Sequence, residues 1–302
     1  MSSDSSYYVP ESSKLPIFMA FGLLLFVLGA GSTINDLGKE SSNSYILLMT
    51  SFAVIWGVMF VWFSNVINEN NKGMYSDQLN QSFVWGMAWF IFSEVMFFFA
   101  FFLALGYVRM FSVPWLGGEG EKAITNILWP AFEATWPVMV TPDNETFPGA
   151  EKNMNMPGIT KLHTWLPFWN TLCLVTSSGT IALAEAALKK GKRAAFKSWM
   201  VATISLGFIF VFLQGLEYYE AYAHMGLTLG AGIYGTTFFL LTGFHGFHVC
   251  LGAIILTIMT IRGFGGAFSE HDHFGLAAGS WYWHFVDVVW LFLFAAVYVW
   301  GG

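Results

Sequence analysis

Residues Ser82 to Tyr107 read SFVWGMAWFIFSEVMFFFAFFLALGY, a run of 26 residues with a single Asp, Glu, Lys or Arg, Glu94. A helix rises about 1.5 Å per residue, so about 20 apolar residues cross a hydrocarbon core about 30 Å thick. A run this long and this apolar is a membrane span. Six further stretches meet the same test: Pro16 to Ile34, Tyr45 to Ile67, Thr164 to Leu188, Ser198 to Tyr222, Ile233 to Ile261 and Ala277 to Trp300. The expected fold is all-α, a bundle of seven transmembrane helices forming one polytopic domain over 1–302. It carries a polar tail at 1–15 and a long connection at 108–163. The tail has no basic run, so the first span reads as a span and not as a cleaved leader. No internal repeat is visible, which weakens a transporter built from duplicated halves.

Composition agrees. Of 302 residues, 56% are hydrophobic and only 11% are charged, against about 25% in a soluble domain. Soluble enzymes and disordered chains are excluded on that ground. With 13 basic against 19 acidic residues there is no basic surface for nucleic acid. Cys173 and Cys250 lie inside apolar stretches and read as buried thiols, not as a disulfide or metal set.

Basic residues orient the bundle. One side collects Lys14, Lys72, Lys189, Lys190, Lys192, Arg193, Lys197 and Arg262, and the other Lys39, Arg109, Lys122, Lys152 and Lys161. The cluster from Lys189 to Lys197 decides the sign: N-terminus cytoplasmic, C-terminus external. The 108–163 connection is then external and reads as an ordered cap, with a floppy loop as the alternative. Trp281-Tyr282-Trp283, and Tyr298 with Trp300, read as interfacial belts.

Five carboxyls lie within the spans. Glu185, four residues before Lys189, is expected to form a helix-surface ion pair. Glu217 and Glu220 fall in the last turns of span five, within reach of headgroup water. Glu94 and Asp287 sit near the bilayer centre, where an ionised Asp costs roughly 2.5 to 3.5 kcal/mol, so each needs a partner or a proton. His245 and His248 lie three apart on one face of span six, as His284 and Asp287 do in span seven. The expectation is that Glu94 bonds His248 or His245 and that His284 pairs with Asp287. Four readings of these residues stay open. They are polar glue between helices brought close by Gly243, Gly246 and Gly252; a proton-handling or inhibitor-sensitive carboxyl at Glu94; a haem or metal site of His245, His248 and His284; and a transport site. His271 and His273, in the turn Ser269-Glu270-His271-Asp272-His273, are weaker metal candidates, as solvated or headgroup-facing residues. Gly117-Gly118-Glu119-Gly120 neither follows a strand nor opens a helix, so it is no phosphate loop.

Several of these stretches are familiar together. Ala278-Gly279-Ser280-Trp281-Tyr282-Trp283-His284-Phe285-Val286-Asp287-Val288-Val289-Trp290, preceded by Thr242-Gly243-Phe244-His245-Gly246-Phe247-His248 and His273-Phe274-Gly275, closely resembles subunit III of haem-copper cytochrome c oxidases. Ser93-Glu94-Val95-Met96-Phe97-Phe98 and Gln214-Gly215-Leu216-Glu217-Tyr218-Tyr219-Glu220-Ala221 match the same family in the same order. The resemblance implies a chain without a redox centre. Helices one and two splay from helices three to seven to form a V-shaped cleft holding phospholipid. Partners would be the catalytic subunit I and subunit II, which carry the haem and copper, with cytochrome c as donor. The role implied is support of proton uptake and of catalytic-centre stability, in a bacterial inner membrane or related energy-coupling membrane. Glu94 matches a carbodiimide-reactive glutamate, and His245 and His248 match histidines of helix six.

The lipid site departs from the pattern. Where family members commonly have Trp-Trp-Arg-Asp-Val-x-Arg-Glu, this chain has Trp62-Phe63-Ser64-Asn65-Val66-Ile67-Asn68-Glu69. Both arginines are missing. Arg262, with Trp62, Glu69 and His273, is left as the expected headgroup contact. The rival readings are a quinol oxidase subunit III, which commonly has five helices, and a freestanding transporter with a midplane Glu/His site.

Overall fold

A computed structural model describes residues 8, 12–36, 43–270 and 272–301. Lys39 and His271, named above, lie outside them, as does most of the N-terminal tail. Among the described residues, seven helices are long and apolar enough to cross a membrane. We label them α1 (Leu15–Asn35), α2 (Ser44–Asn71), α3 (Asp77–Tyr107), α4 (Leu166–Lys189), α5 (Arg193–His224), α6 (Gly232–Phe264) and α7 (Phe274–Leu293). Each expected span falls within or against one of them. The ends differ where polar residues continue the helix: α5 begins five residues before Ser198, at Arg193. Beyond α3, a π-helical turn, Val108–Ser112, and a short helix, Val113–Leu116, carry the helical path past Tyr107. A second π-helical turn, Phe294–Val299, follows α7.

The chain divides into two compact units, residues 1–86 and 87–302. In the first, α1 and α2 pack at small residues. A Cβ on Gly29 would stand 2.7 Å from the backbone nitrogen of Leu48, and one on Gly22 would stand 3.1 Å from Ile55. Phe26 and Phe52 meet edge to face at 5.4 Å. Large apolar side chains elsewhere on both helices are exposed, Phe60 among them, as expected where lipid is the solvent. After α2, Tyr75 donates to Glu69 Oε2 and to the Val66 carbonyl, each at 3.0 Å. Burial, and then the Glu69 carboxylate, push the Tyr75 phenol well above its ordinary range.

The second unit holds the core. Its largest fully buried side chains include Trp283, Trp290, Tyr234, Tyr282 and Tyr298. This corrects the belt reading: of Trp281-Tyr282-Trp283 only Trp281 is exposed, and Tyr298 is buried while Trp300 is 68% exposed. The helical period turns two of those three aromatics inward, a rotation that hydropathy alone does not reveal. Trp283 fills the seam between α5 and α6. A Cβ on Gly207 or on Gly252 would each stand 2.8 Å from its ring, and its Nε1 donates to Ser177 Oγ on α4 at 2.8 Å. Of the three glycines expected to bring helices together, Gly252 does so, whereas Gly246 has nothing within 4 Å. Cys173 and Cys250 are free thiols and half-buried, less enclosed than expected.

The 108–163 connection is ordered. Val113, Phe132 and Val138 form a small apolar cluster of their own. The connection is tied to the spans by backbone hydrogen bonds, Glu151 N to Met225 O at 3.0 Å and Met156 N to Tyr298 O at 3.1 Å. Met154 N also donates to the buried Tyr234 hydroxyl at 3.0 Å. Arg109 donates to the Trp300 carbonyl and lies over the Trp300 and Trp136 rings at 5.0 and 5.9 Å.

Candidate functional site

Glu94 and His248 meet in the second unit. Glu94 Oε2 lies 2.9 Å from His248 Nε2. The other ring nitrogen, Nδ1, is 2.6 Å from the Phe244 carbonyl one turn back. A carbonyl only accepts, so Nδ1 carries a hydrogen and Nε2 is the nitrogen that faces the carboxyl. Two arrangements satisfy this bond: a protonated carboxyl donating to Nε2, or an imidazolium donating to the carboxylate. Both have zero net charge and both place one proton between Oε2 and Nε2. That neutrality lowers the cost of putting the pair at membrane depth.

Aromatic rings wall it in. Phe98, Phe247 and Phe97 lie 4.9, 5.7 and 5.9 Å from the His248 ring, and Tyr282 stacks at 6.4 Å. Side-chain exposure is 9% for His248 and 22% for Glu94, so the carboxyl is the open edge of the pair. We expect Glu94→Ala to strand Nε2 and to destabilise the subunit by about 1 to 3 kcal/mol, the cost of an unmade buried hydrogen bond. Glu94→Gln, whose amide can donate to Nε2, should lose less than half as much. Equal thermal release of the two variants from purified complex would contradict the geometry.

The other histidines go elsewhere. His245, fully buried, lies with Nε2 3.2 Å from the Val286 carbonyl and so donates to it, tying α6 to α7. Its Nδ1 has no partner among the described residues. His284 Nδ1 lies 2.5 Å from Ser178 Oγ on α4. The expected His284 to Asp287 pair does not form. Asp287 is 4% exposed, its carboxyl near the same Ser178 hydroxyl but without a well-formed hydrogen bond to any described residue. Spacing put the two residues on one face, but a hydroxyl across the helix interface competed better for the imidazole. His245, His248 and His284 are thus committed to separate partners, and among the described residues no three His, Cys, Asp or Glu side chains converge as a metal set. The three histidines therefore do not form a shared metal set among the described residues.

Two further expectations are corrected. Glu217 is 1% exposed, not bathed by headgroup water. It accepts from Tyr298 Oη at 2.6 Å and from Asn170 Nδ2 at 3.4 Å. The signal missed was the connection itself, which folds over the end of α5 and α7. Glu185 does not pair with Lys189, and its buried Oε1 has no partner among the described residues. Glu220 is exposed, as expected.

The expected lipid contacts fall in both units. In the first, Trp62 is exposed and stacks on Phe63, while Glu69 is engaged by Tyr75. In the second, Arg262 is half-buried, over the Phe268 ring at 5.3 Å and 3.9 Å from Met259 Sδ, with no carboxylate partner among the described residues. His273 Nδ1 is buried and unpartnered among the described residues.

Comparison with known proteins decides the family. The family model described as cytochrome c oxidase subunit III matches residues 5–121 and 126–302. The chain belongs to the cytochrome c oxidase subunit III family. Curated relatives named cytochrome c oxidase subunit 3 agree over nearly full length. The Arabidopsis thaliana protein is 35% identical over 299 residues, covering 98% of this chain and 97% of the relative. That of Marchantia polymorpha is 34% identical over 304 residues, covering 100% and 99%. That of Oncorhynchus mykiss is 33% identical over 301 residues, covering 98% of each. The subunit III match runs through every element that carries the Glu94 and His248 pair, the His245 bond and the Glu217 cluster.

Proposed function

We propose that this chain is the accessory subunit III of a respiratory cytochrome c oxidase, working beside a catalytic subunit I and a subunit II that hold the haem and copper and take electrons from cytochrome c. The single observation that carries this reading is the family match over nearly the whole chain. On this reading the chain contributes no catalytic centre. It supports proton uptake and the lifetime of the catalytic centre, with the one-proton Glu94 and His248 pair and the His245, His284 and Asp287 residues as its intramembrane polar elements. The proposed location is a bacterial cytoplasmic membrane or a related energy-coupling membrane, and the distribution of basic residues favours the N-terminus inside. An affinity-tagged chain purified in mild detergent should bring haem-bearing subunits with it. Isolation of the chain alone, without haem absorbance, would refute the assignment and favour a freestanding transporter.

Phospholipid is the proposed bound ligand of Arg262, whose guanidinium rests on Phe268 with no carboxylate against it among the described residues, which suits it to a phosphate. His273, Trp62 and Glu69 are the lesser contacts. Arg262→Ala should release part of the lipid retained in purified complex and shorten the turnover lifetime. Unchanged lipid content together with unchanged lifetime would remove Arg262 from that role.

A further inference from the structure

The turn between α4 and α5 carries Lys189, Lys190, Lys192, Arg193 and Lys197 within nine residues. The first four are exposed. None is ion-paired with a carboxylate among the described residues, although Glu270 stands close by: its Oε1 would lie 2.7 Å from a Cβ on Gly191. Beyond orienting the bundle, Lys192 and Arg193 do not stabilise the start of α5, because the N-terminus of a helix is the positive end of its dipole and repels cations. The first turn of α5 holds no acidic residue to offset them. The cluster therefore makes a concentrated positive field, five cations with the Glu270 carboxylate beside them, and none of the five is held in an ion pair with a carboxylate among the described residues.

Its height is set by the helices that bear it. Both α4 and α5 are membrane-spanning, so the turn that joins them lies at the level of the headgroups. Lys197 Nζ sits over the Phe264 ring at 5.1 Å, and Phe264 and Trp199 are themselves 43% and 38% exposed. Aromatic rings with cations beside them are the composition of a membrane interface. We propose that this turn is a docking surface for anionic phospholipid, held by its phosphodiester through Lys189, Lys190, Lys192 and Arg193 with an acyl chain along Phe264. The proposal rests on the membrane-spanning fold alone and does not involve Arg262.

The test uses the whole complex, equilibrated with vesicles of phosphatidylglycerol and phosphatidylcholine in equal amounts and re-isolated, with retained lipid measured by mass spectrometry. The unmodified complex should be enriched in phosphatidylglycerol. The K189Q/K190Q/K192Q/R193Q complex should lose that enrichment at least about fivefold, the loss expected from removing even one cation near an anionic surface. K189R/K190R/K192R/R193K should keep it. Should the quadruple Gln variant fail to assemble, the unmodified complex still decides: at about 1 M salt, where charges are screened beyond roughly 3 Å, the enrichment should collapse. Enrichment that survives both treatments overturns the proposal. So does displacement of the lipid by millimolar inorganic phosphate, which would make this a site for the free anion, or cross-linking of these lysines to an acidic segment of another subunit. Arg262→Ala should leave this enrichment intact, so the two lipid predictions fail separately.

Discussion

Gly252→Val should force α6 away from α7 and release the subunit from its complex. The new side chain would begin 2.8 Å from the Trp283 ring, and the ring has no slack toward α5, where a Cβ on Gly207 would stand as close. Trp283 is fully buried and anchored through Nε1 to Ser177, so it cannot swing aside without breaking a buried hydrogen bond. Separation of α6 from α7 is the remaining response. Overpacking of this kind costs about 1 to 3 kcal/mol or somewhat more, and in lipid no hydrophobic gain between helices offsets it, since helix association there rests on close packing. Complex extracted in detergent should therefore shed the subunit at temperatures the parent tolerates. Trp283→Leu in the same chain should recover part of the loss, because two residues in contact do not contribute additively. If Gly252→Val releases normally, the seam is not what the geometry says it is.

Tyr298→Phe is the second large change. It removes the 2.6 Å bond to Glu217 and leaves that carboxyl with Asn170 at 3.4 Å as its one remaining partner among the described residues. A hydrogen bond to such a group is worth about 1.5 to 3 kcal/mol, and a buried acceptor left unmade costs its desolvation. Because the Tyr298 carbonyl also accepts from Met156, loosening of this residue should spread into the connection. We expect faster proteolytic cleavage near 150–156 as well as a lower release temperature. Glu217→Gln, which keeps an acceptor for Tyr298, should be milder than Tyr298→Phe. Cleavage unchanged in Tyr298→Phe would separate the two elements.

These residues also mark what could be read from the chain. Span number and approximate limits were legible because apolar length is a local property, which is why Ser82 to Tyr107 sufficed to declare a membrane helix. That Glu94 needed a partner was legible from depth, and His248 was one of two residues placed to supply it. The remainder depends on how each helix is rotated and on what folds over its ends. His284 and Asp287 share a face, yet Ser178 lies on a different helix and nothing in the spacing points to it. Glu217 sits in the last turns of its span, where water would be expected, and is sealed by Tyr298 and by a connection whose path hydropathy does not describe. Tyr282 and Trp283 lie near a span end yet turn inward, because belt composition reports height and not rotation.

The long connection is fastened unevenly, and this matters to anyone who wishes to modify the protein. Around 150–156 its backbone is knitted to the spans through Met225, Tyr234 and Tyr298, and an added residue there would throw those bonds out of step. Around 122–125, the stretch left unmatched by the family model, the chain turns outward at Ile124, 75% exposed, and its ties, Thr125 to the Trp115 carbonyl at 2.8 Å and Lys122 over the Trp115 ring at 4.5 Å, reach the short helix Val113–Leu116 and not the buried core. Exposed turns without ties to the core are the places that accept insertions. A peptide tag or fluorescent reporter belongs there, where it can be detected without touching the seven helices.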